Sequence, residues 1–315
     1  MSQFRFTVIS AGFEHGGNVI HRHLDGHPQL LVYPFESQLG NKDFTDFLSS
    51  IERVQYRYPE FPEGLNYDEL YESIIDEELK TFLRKRTGSK FRDVTLEMSE
   101  EDRKDLFKTF LQKGPVTRSR VIEAFFRSTF QSWKNLNIPI REDSIHVGYS
   151  PVIGVDASRM IKDFPDIRII HVIRNPFSAY SDTKKRPFPQ PLLKYLISWN
   201  IFHSTAEIFA NLYPANMKVL RYEDFVKDKS VFMKLLSEFV EIEYREELLY
   251  PSWNGQRLLG DIAPWGTVLR STEDYNIEAI EKLSVEERAL ISKSTYPVAK
   301  HFKYDEIPYL RPHYC

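Results

Sequence analysis

The chain has 315 residues, 42% of them hydrophobic and 14% aromatic, and a net charge of −3. That is enough apolar chain for one large α/β domain with a helical elaboration, and without a basic tract it excludes a partner held by its nucleic-acid backbone, which needs a dense cationic surface. The sole cysteine, Cys315, rules out an intrachain disulfide framework and a cysteine zinc site; the first apolar run is too short for a secretory leader and no stretch could span a bilayer, so a cytoplasmic protein with no membrane partner is expected.

Phe4 to Ser10 reads as a first strand. It runs into Ala11-Gly-Phe-Glu-His-Gly-Gly-Asn18 and then a helical stretch, Val19 to Leu24. Strand, glycine-containing loop and helix is the layout that presents backbone N–H groups to a phosphate. The loop lacks the Gly-Lys-Ser/Thr ending of a Walker motif. Glycines are also ordinary turn formers, so this signal is weak by itself. Asp25-Gly-His-Pro28 is a turn, Gln29 to Tyr33 a short second strand, and Pro34-Phe-Glu36 closes it.

Residues 41–140 have little strand character. Helical spacing runs through Tyr67–Arg86, Ser99–Lys113 and Thr117–Asn135. The recurring Phe and Leu positions there read as core stripes. This block is expected to be a helical insertion of a single 1–315 domain that walls a substrate cleft. Val152-Ile-Gly-Val155 reads as another short strand. Ile167 to Ile173 is mostly β-branched, the composition of a strand buried on both faces of a parallel sheet. It ends at Arg174-Asn175-Pro176, a turn into a helix. An arginine is thereby delivered to the carboxyl end of a central strand beside a helix amino terminus, where α/β sheets bind anions. The bland alternative is an arginine paired with a surface carboxylate. Leu192–Ala210 reads as a long helix, Met217–Tyr222 as a strand and Phe232–Phe239 as helical. Trp253–Thr272 is a long glycine- and proline-containing loop of the kind that forms lids. A last helix starts at a capping box, Ser284 to Glu287.

Taken together, these segments resemble the sulfotransferases that use 3′-phosphoadenosine-5′-phosphosulfate (PAPS). The resemblance rests on the first strand-loop-helix with Gly12 and Gly16-Gly17, on Leu24-Asp-Gly-His-Pro28, and on Phe164-Pro-Asp-Ile-Arg-Ile-Ile-His-Val-Ile-Arg-Asn-Pro176. Val219-Leu-Arg-Tyr-Glu-Asp-Phe225 and Pro264-Trp265-Gly266 complete it. It covers roughly 1–40 and 150–305. It implies a P-loop-like parallel sheet flanked by helices. It also implies transfer of a sulfuryl group from PAPS to a hydroxyl of a small molecule, secondary metabolite or carbohydrate, leaving 3′,5′-ADP, with no metal.

On the residues that match, Arg174 is implied to bind the 3′-phosphate. A serine of the following helix is implied to join it. The family's eighth position after the arginine is Asp182 here, and Ser181 is carried over with a one-residue shortening. The 5′-phosphosulfate loop becomes His15-Gly16-Gly17-Asn18-Val19, with a histidine where the family has lysine or arginine. Sulfuryl transfer builds charge on the oxygen bridging to the 5′-phosphate, and a cation there lowers the barrier. A protonated His15 could serve, or Arg257 from the carboxy-terminal loop. Lys184, Lys185 and Arg186 could add positive potential, although a solvated charge run is the plainer reading. Glu36 is implied as the general base, with His146 as runner-up. Two alternatives stand beside this reading. One is a non-catalytic or decayed nucleotide-binding homologue. The other is a P-loop kinase-like phosphotransferase, disfavoured by the missing Walker ending and the lack of an evident magnesium aspartate.

Overall fold

The computed structural model describes residues 3–268, 272–305, 307 and 310. Cys315 and residues 269–271 of the long loop lie outside them. Five parallel strands form the central sheet: β1 (Arg5–Ala11), β2 (Leu30–Val32), β3 (Ile145–Tyr149), β4 (Arg168–Ile173) and β5 (Met217–Arg221), in the order β2-β3-β1-β4-β5. The register sets Ile9 against both Tyr149 and Ile170, and Ile173 against Arg221. β1 and β4 are buried almost throughout because side chains alternate between two covered faces.

Phe6, Val8 and Ile169 point to one face, in one core with Leu79, Phe107 and Phe125 of the insertion. Ile9, Ala11, Ile170 and Val172 point to the other. There they meet Ile20 and Leu24 of α1 (Gly17–Leu24) and Leu236 of α10 (Lys229–Val240). A third cluster joins Phe177 of α7 (Pro176–Thr183), Trp199 of α8 (Leu192–Leu212) and Ile291 of α12 (Val285–His301).

The insertion supplies α2 (Tyr67–Ser73), α3 (Glu77–Arg84), α4 (Glu100–Leu111) and α5 (Arg118–Ser132). Ser99 and Thr117 cap α4 and α5 through their side chains. The single helix expected over Tyr67–Arg86 is two, broken at Ile74–Asp76, where Asp76 takes a positive φ of 37°. The expected strand at Val152–Val155 is corrected. Val152 is left-handed at φ 60° and the chain turns into a 3-10 helix, Ile153–Asp156. The true strand is Ile145–Tyr149, whose histidine and glycine interrupt its apolar run. α6 (Ala157–Asp163) leads into β4, and α9 (Tyr222–Lys227) follows β5. The long loop opens with a hairpin of β6 (Ser252–Trp253) and β7 (Gln256–Arg257). α11 (Glu273–Glu281), which sequence patterning did not show, precedes α12. No helix among the described residues is long and apolar enough to cross a membrane.

Candidate active site

The carboxyl ends of β1, β3 and β4 converge, as expected where ligands bind a parallel sheet. A cavity of about 450 Å³ opens there. Its wall includes Phe13–Val19, Glu36, Tyr149, Arg174, Asp182, Tyr222 and Trp265–Val268. That volume suits a nucleotide-sized ligand. Gly16 takes φ 84° as the residue before α1, and an added Cβ would sit 2.3 Å from the Tyr222 ring. An added Cβ on Gly17 would meet Tyr149 at 2.5 Å. The two glycines let the loop lie flat against aromatic walls. No side chain caps the amino terminus of α1. Its first-turn N–H groups lack intrahelical partners and carry the positive end of the helix dipole. Asn18 adds a side-chain amide, which donates to Glu36 Oε1 at 3.3 Å. These features fit a phosphate-bearing ligand.

His15, one of the two candidates for the cation at the 5′-phosphate, is uncharged. Its ring turns inward, is 2% exposed, and burial lowers its pKa to about 3. Its Nδ1 lies 2.7 Å from the Phe13 carbonyl, which can only accept, so Nδ1 carries the proton. Nε2 then accepts from His203 Nε2 at 3.1 Å, and His203 Nδ1 accepts from His171 Nε2 at 2.8 Å. His171 Nδ1 accepts from the Ser10 hydroxyl at 3.1 Å, and Ser10 Oγ accepts from Gly154 N–H at 2.8 Å. One proton per ring satisfies the chain, and all three imidazoles are neutral. Burial holds His171 at about 3 and His203 well below its usual value. The loop is pinned to the core through this wire.

Arg174 stands in the cavity wall, but the residue is only 4% exposed and four of the five guanidinium N–H groups donate to protein partners. Nη1 donates to the Glu14 carbonyl at 2.9 Å and to Asp182 at 2.7 Å. Nε and Nη2 donate to Asn276 Oδ1 of α11 at 3.3 and 2.8 Å. The paired-arginine alternative therefore describes its local state. Asn175 caps α7 and also donates twice to Glu223, which accepts from Tyr304 as well. The Glu of the Arg-Tyr-Glu-Asp segment thus braces the turn that carries Arg174.

Glu36 follows β2 and lines the cavity. Burial first, then the neighbouring Glu78, push its pKa up to about 7, against Lys90, Asn18 and Tyr56. Lys90 pairs with Glu78 at 2.5 Å, and Glu78 also accepts from the Glu36 backbone N–H. A carboxyl that titrates near neutrality is suited to general base work.

Other expected positions are corrected. His146 sits early in β3, buried among Phe4, Phe126 and Phe130 and held at about 3 by burial, outside the cavity wall. Arg257 is exposed on β7 with its guanidinium 3.4 Å over the Tyr250 ring, also outside that wall. Ser181 is buried on α7 and does not line the cavity, whereas Asp182 does. His21 and His23 of α1 are buried. Lys185 and Arg186 do line the cavity, while Lys184 pairs away with Glu287. Sequence reasoning missed Glu14, Tyr56, Glu78, Lys90, His171 and His203. Only Asp182 carried a signal, as the acidic residue where the resemblance calls for serine. Among the described residues no three His, Cys, Asp or Glu side chains come together as a metal site.

The model of the sulfotransferase family matches residues 16–246. No curated protein matches the chain. Similar solved structures include the sulfotransferase domain from the curacin biosynthetic pathway, at 16% identity over 96% of this chain and 99% of that one, TM-score 0.49. The sulfotransferase domain of the Synechococcus PCC 7002 olefin synthase aligns at 14% identity over 89% and 95%, TM-score 0.47. A sulfotransferase from Alicyclobacillus acidocaldarius aligns at 11% identity over 96% and 96%, TM-score 0.47. With the family model running from Gly16 at the end of the loop through β4 and the Arg-Tyr-Glu-Asp segment, the chain belongs to the sulfotransferase family.

Proposed function

We propose that the protein transfers a sulfuryl group from a nucleoside 5′-phosphosulfate, the donor class to which PAPS belongs, to a hydroxyl of a small molecule, secondary metabolite or carbohydrate. The observation that carries this reading is Glu36, a carboxyl held near neutrality in the same cavity as the uncapped α1 amino terminus. Glu36 takes the acceptor proton as the acceptor oxygen bonds to sulfur. The bond from sulfur to the bridging oxygen breaks, and that oxygen keeps the electron pair on the departing 5′-phosphate. The loop amides and the α1 dipole stabilise the developing charge, which is worth most where water is excluded. Neutral His15 acts at one remove, by holding the loop.

The test is transfer of ³⁵S from labelled phosphosulfate donors to a panel of sugar and small-molecule hydroxyls. Label should reach an acceptor with the wild type and not with Glu36→Gln, while both proteins bind nucleotide. A second reading, a nucleotide-binding homologue without turnover, is favoured by the neutral His15 where relatives are expected to hold a cation. Nucleotide binding without transfer to any member of a broad panel would select it.

A further inference from the structure

We propose, resting on the donor reading above, that this site takes a phosphosulfate whose ribose 3′-hydroxyl is free, adenosine 5′-phosphosulfate (APS), and that Asp182 excludes the 3′-phosphate of PAPS. The argument begins with what surrounds Arg174. Four of its five N–H groups donate to Asp182, the Glu14 carbonyl and Asn276, and the residue is buried. Asn276 is itself held, since its carbonyl accepts from the Ser178 hydroxyl at 2.9 Å. A 3′-phosphate could take over Arg174 Nη1 only by displacing the half-buried Asp182 carboxylate from a charge-assisted bond.

Asp182 also accepts from Lys185. The carboxylate is therefore shared by two cations and offsets one of their two charges, and it faces the cavity. A carboxylate accepts a hydrogen bond from a ribose hydroxyl, whereas it repels a phosphate that adds nearly two negative charges. The same logic separates nucleotide folds in which an acidic residue reads a free ribose hydroxyl from those in which an arginine admits a phosphate.

The rest of the cavity agrees. Arg186 is paired with Glu14 at 2.6 Å and Lys90 with Glu78 at 2.5 Å. Among the described residues the wall holds four cations, Lys90, Arg174, Lys185 and Arg186, against three carboxylates, Glu14, Glu36 and Asp182. His15 adds no charge. Such a wall matches the smaller charge of APS. Transfer would form the acceptor O–S bond, break the bond from sulfur to the bridging oxygen, release 5′-AMP and leave the acceptor proton on Glu36.

Calorimetry on the full chain with 5′-AMP and 3′,5′-ADP tests this. The wild type should bind 5′-AMP at least about tenfold more tightly, because juxtaposed like charges are strongly discriminating. Asp182→Ser and the near-isosteric Asp182→Asn should each shift that ratio toward 3′,5′-ADP by about tenfold or more. Wild-type protein that binds 3′,5′-ADP as tightly as 5′-AMP, or more tightly, overturns the role of Asp182 and leaves the donor reading standing. Failure to bind either nucleotide overturns the donor reading and this inference with it. The wild-type comparison decides the matter even if both variants misfold.

Discussion

At the scale of single residues, Glu36 makes a prediction in two observables. Its folded pKa near 7 lies above the ordinary 4.5, so the folded protein binds the proton more tightly than the unfolded chain. Stability contributed by this group is therefore full below pH 4.5 and falls as pH rises toward 7. Glu36→Gln should melt at the wild-type temperature in acid and higher than wild type above pH 7. Its kcat should fall by about 10²-fold or more, the usual contribution of a general base. The wild-type rate should rise through about pH 7. A flat profile between pH 5 and 8 would assign the base elsewhere. His203 makes the complementary case. Removing its ring orphans a donor on His171 and an acceptor on His15. His203→Ala should lose about 1–3 kcal/mol in denaturant unfolding, and 5′-AMP affinity should drop because the loop loses its anchor.

At the scale of elements, the insertion is tied to the sheet by a buried ionic knot. Arg103 of α4 bonds Asp76 at 2.7 Å, Tyr33 OH at 3.1 Å and Thr129 of α5 at 3.0 Å. Tyr33 OH also donates to Asp76 at 2.8 Å, just beyond β2. Both charged side chains are fully buried. Breaking one partner leaves a buried charge alone, at a cost of about 3–5 kcal/mol. Asp76→Ala should lower stability by that amount in urea unfolding. Replacing Arg103 and Asp76 together with apolar residues should recover much of the loss. The helices of this block were legible because capping residues and Phe or Leu stripes are local signals. The break at Ile74–Asp76 was not, because it is set by the pairing of Asp76 with Arg103, distant in sequence. β3 was missed for the same kind of reason: His146 and Gly148 spoil its pattern, yet both fit a strand enclosed by Phe4, Phe126 and Ser37.

At the scale of the whole molecule, seven histidines among the described residues are buried: His15, His21, His23, His27, His146, His171 and His203. Burial lowers the pKa of each. The folded values lie below the unfolded 6.5, so the stability they contribute is full above that pH and is lost as pH falls. Each histidine that stays neutral when folded adds a slope of about 1.4 kcal/mol per pH unit. Urea midpoints should therefore drop steeply between pH 6 and 5, with more than one proton taken up per molecule unfolded. A midpoint independent of pH across that interval would contradict the buried neutral histidines.

The sequence by itself determined the parallel α/β class, the strand that ends at Arg174, the glycine loop before α1 and the capped helices, because each depends on neighbours a few residues away. Glu36 and Arg174 were also placed at strand ends by local pattern. The tertiary structure alone decided what those groups are. It gave Arg174 a carboxylate partner, turned His15 into a neutral link to His203 and His171, and set Glu78 beside Glu36. Charge state and hydrogen-bond partnership depend on side chains brought together from distant segments and on the water that packing removes, and neither quantity is written in local sequence.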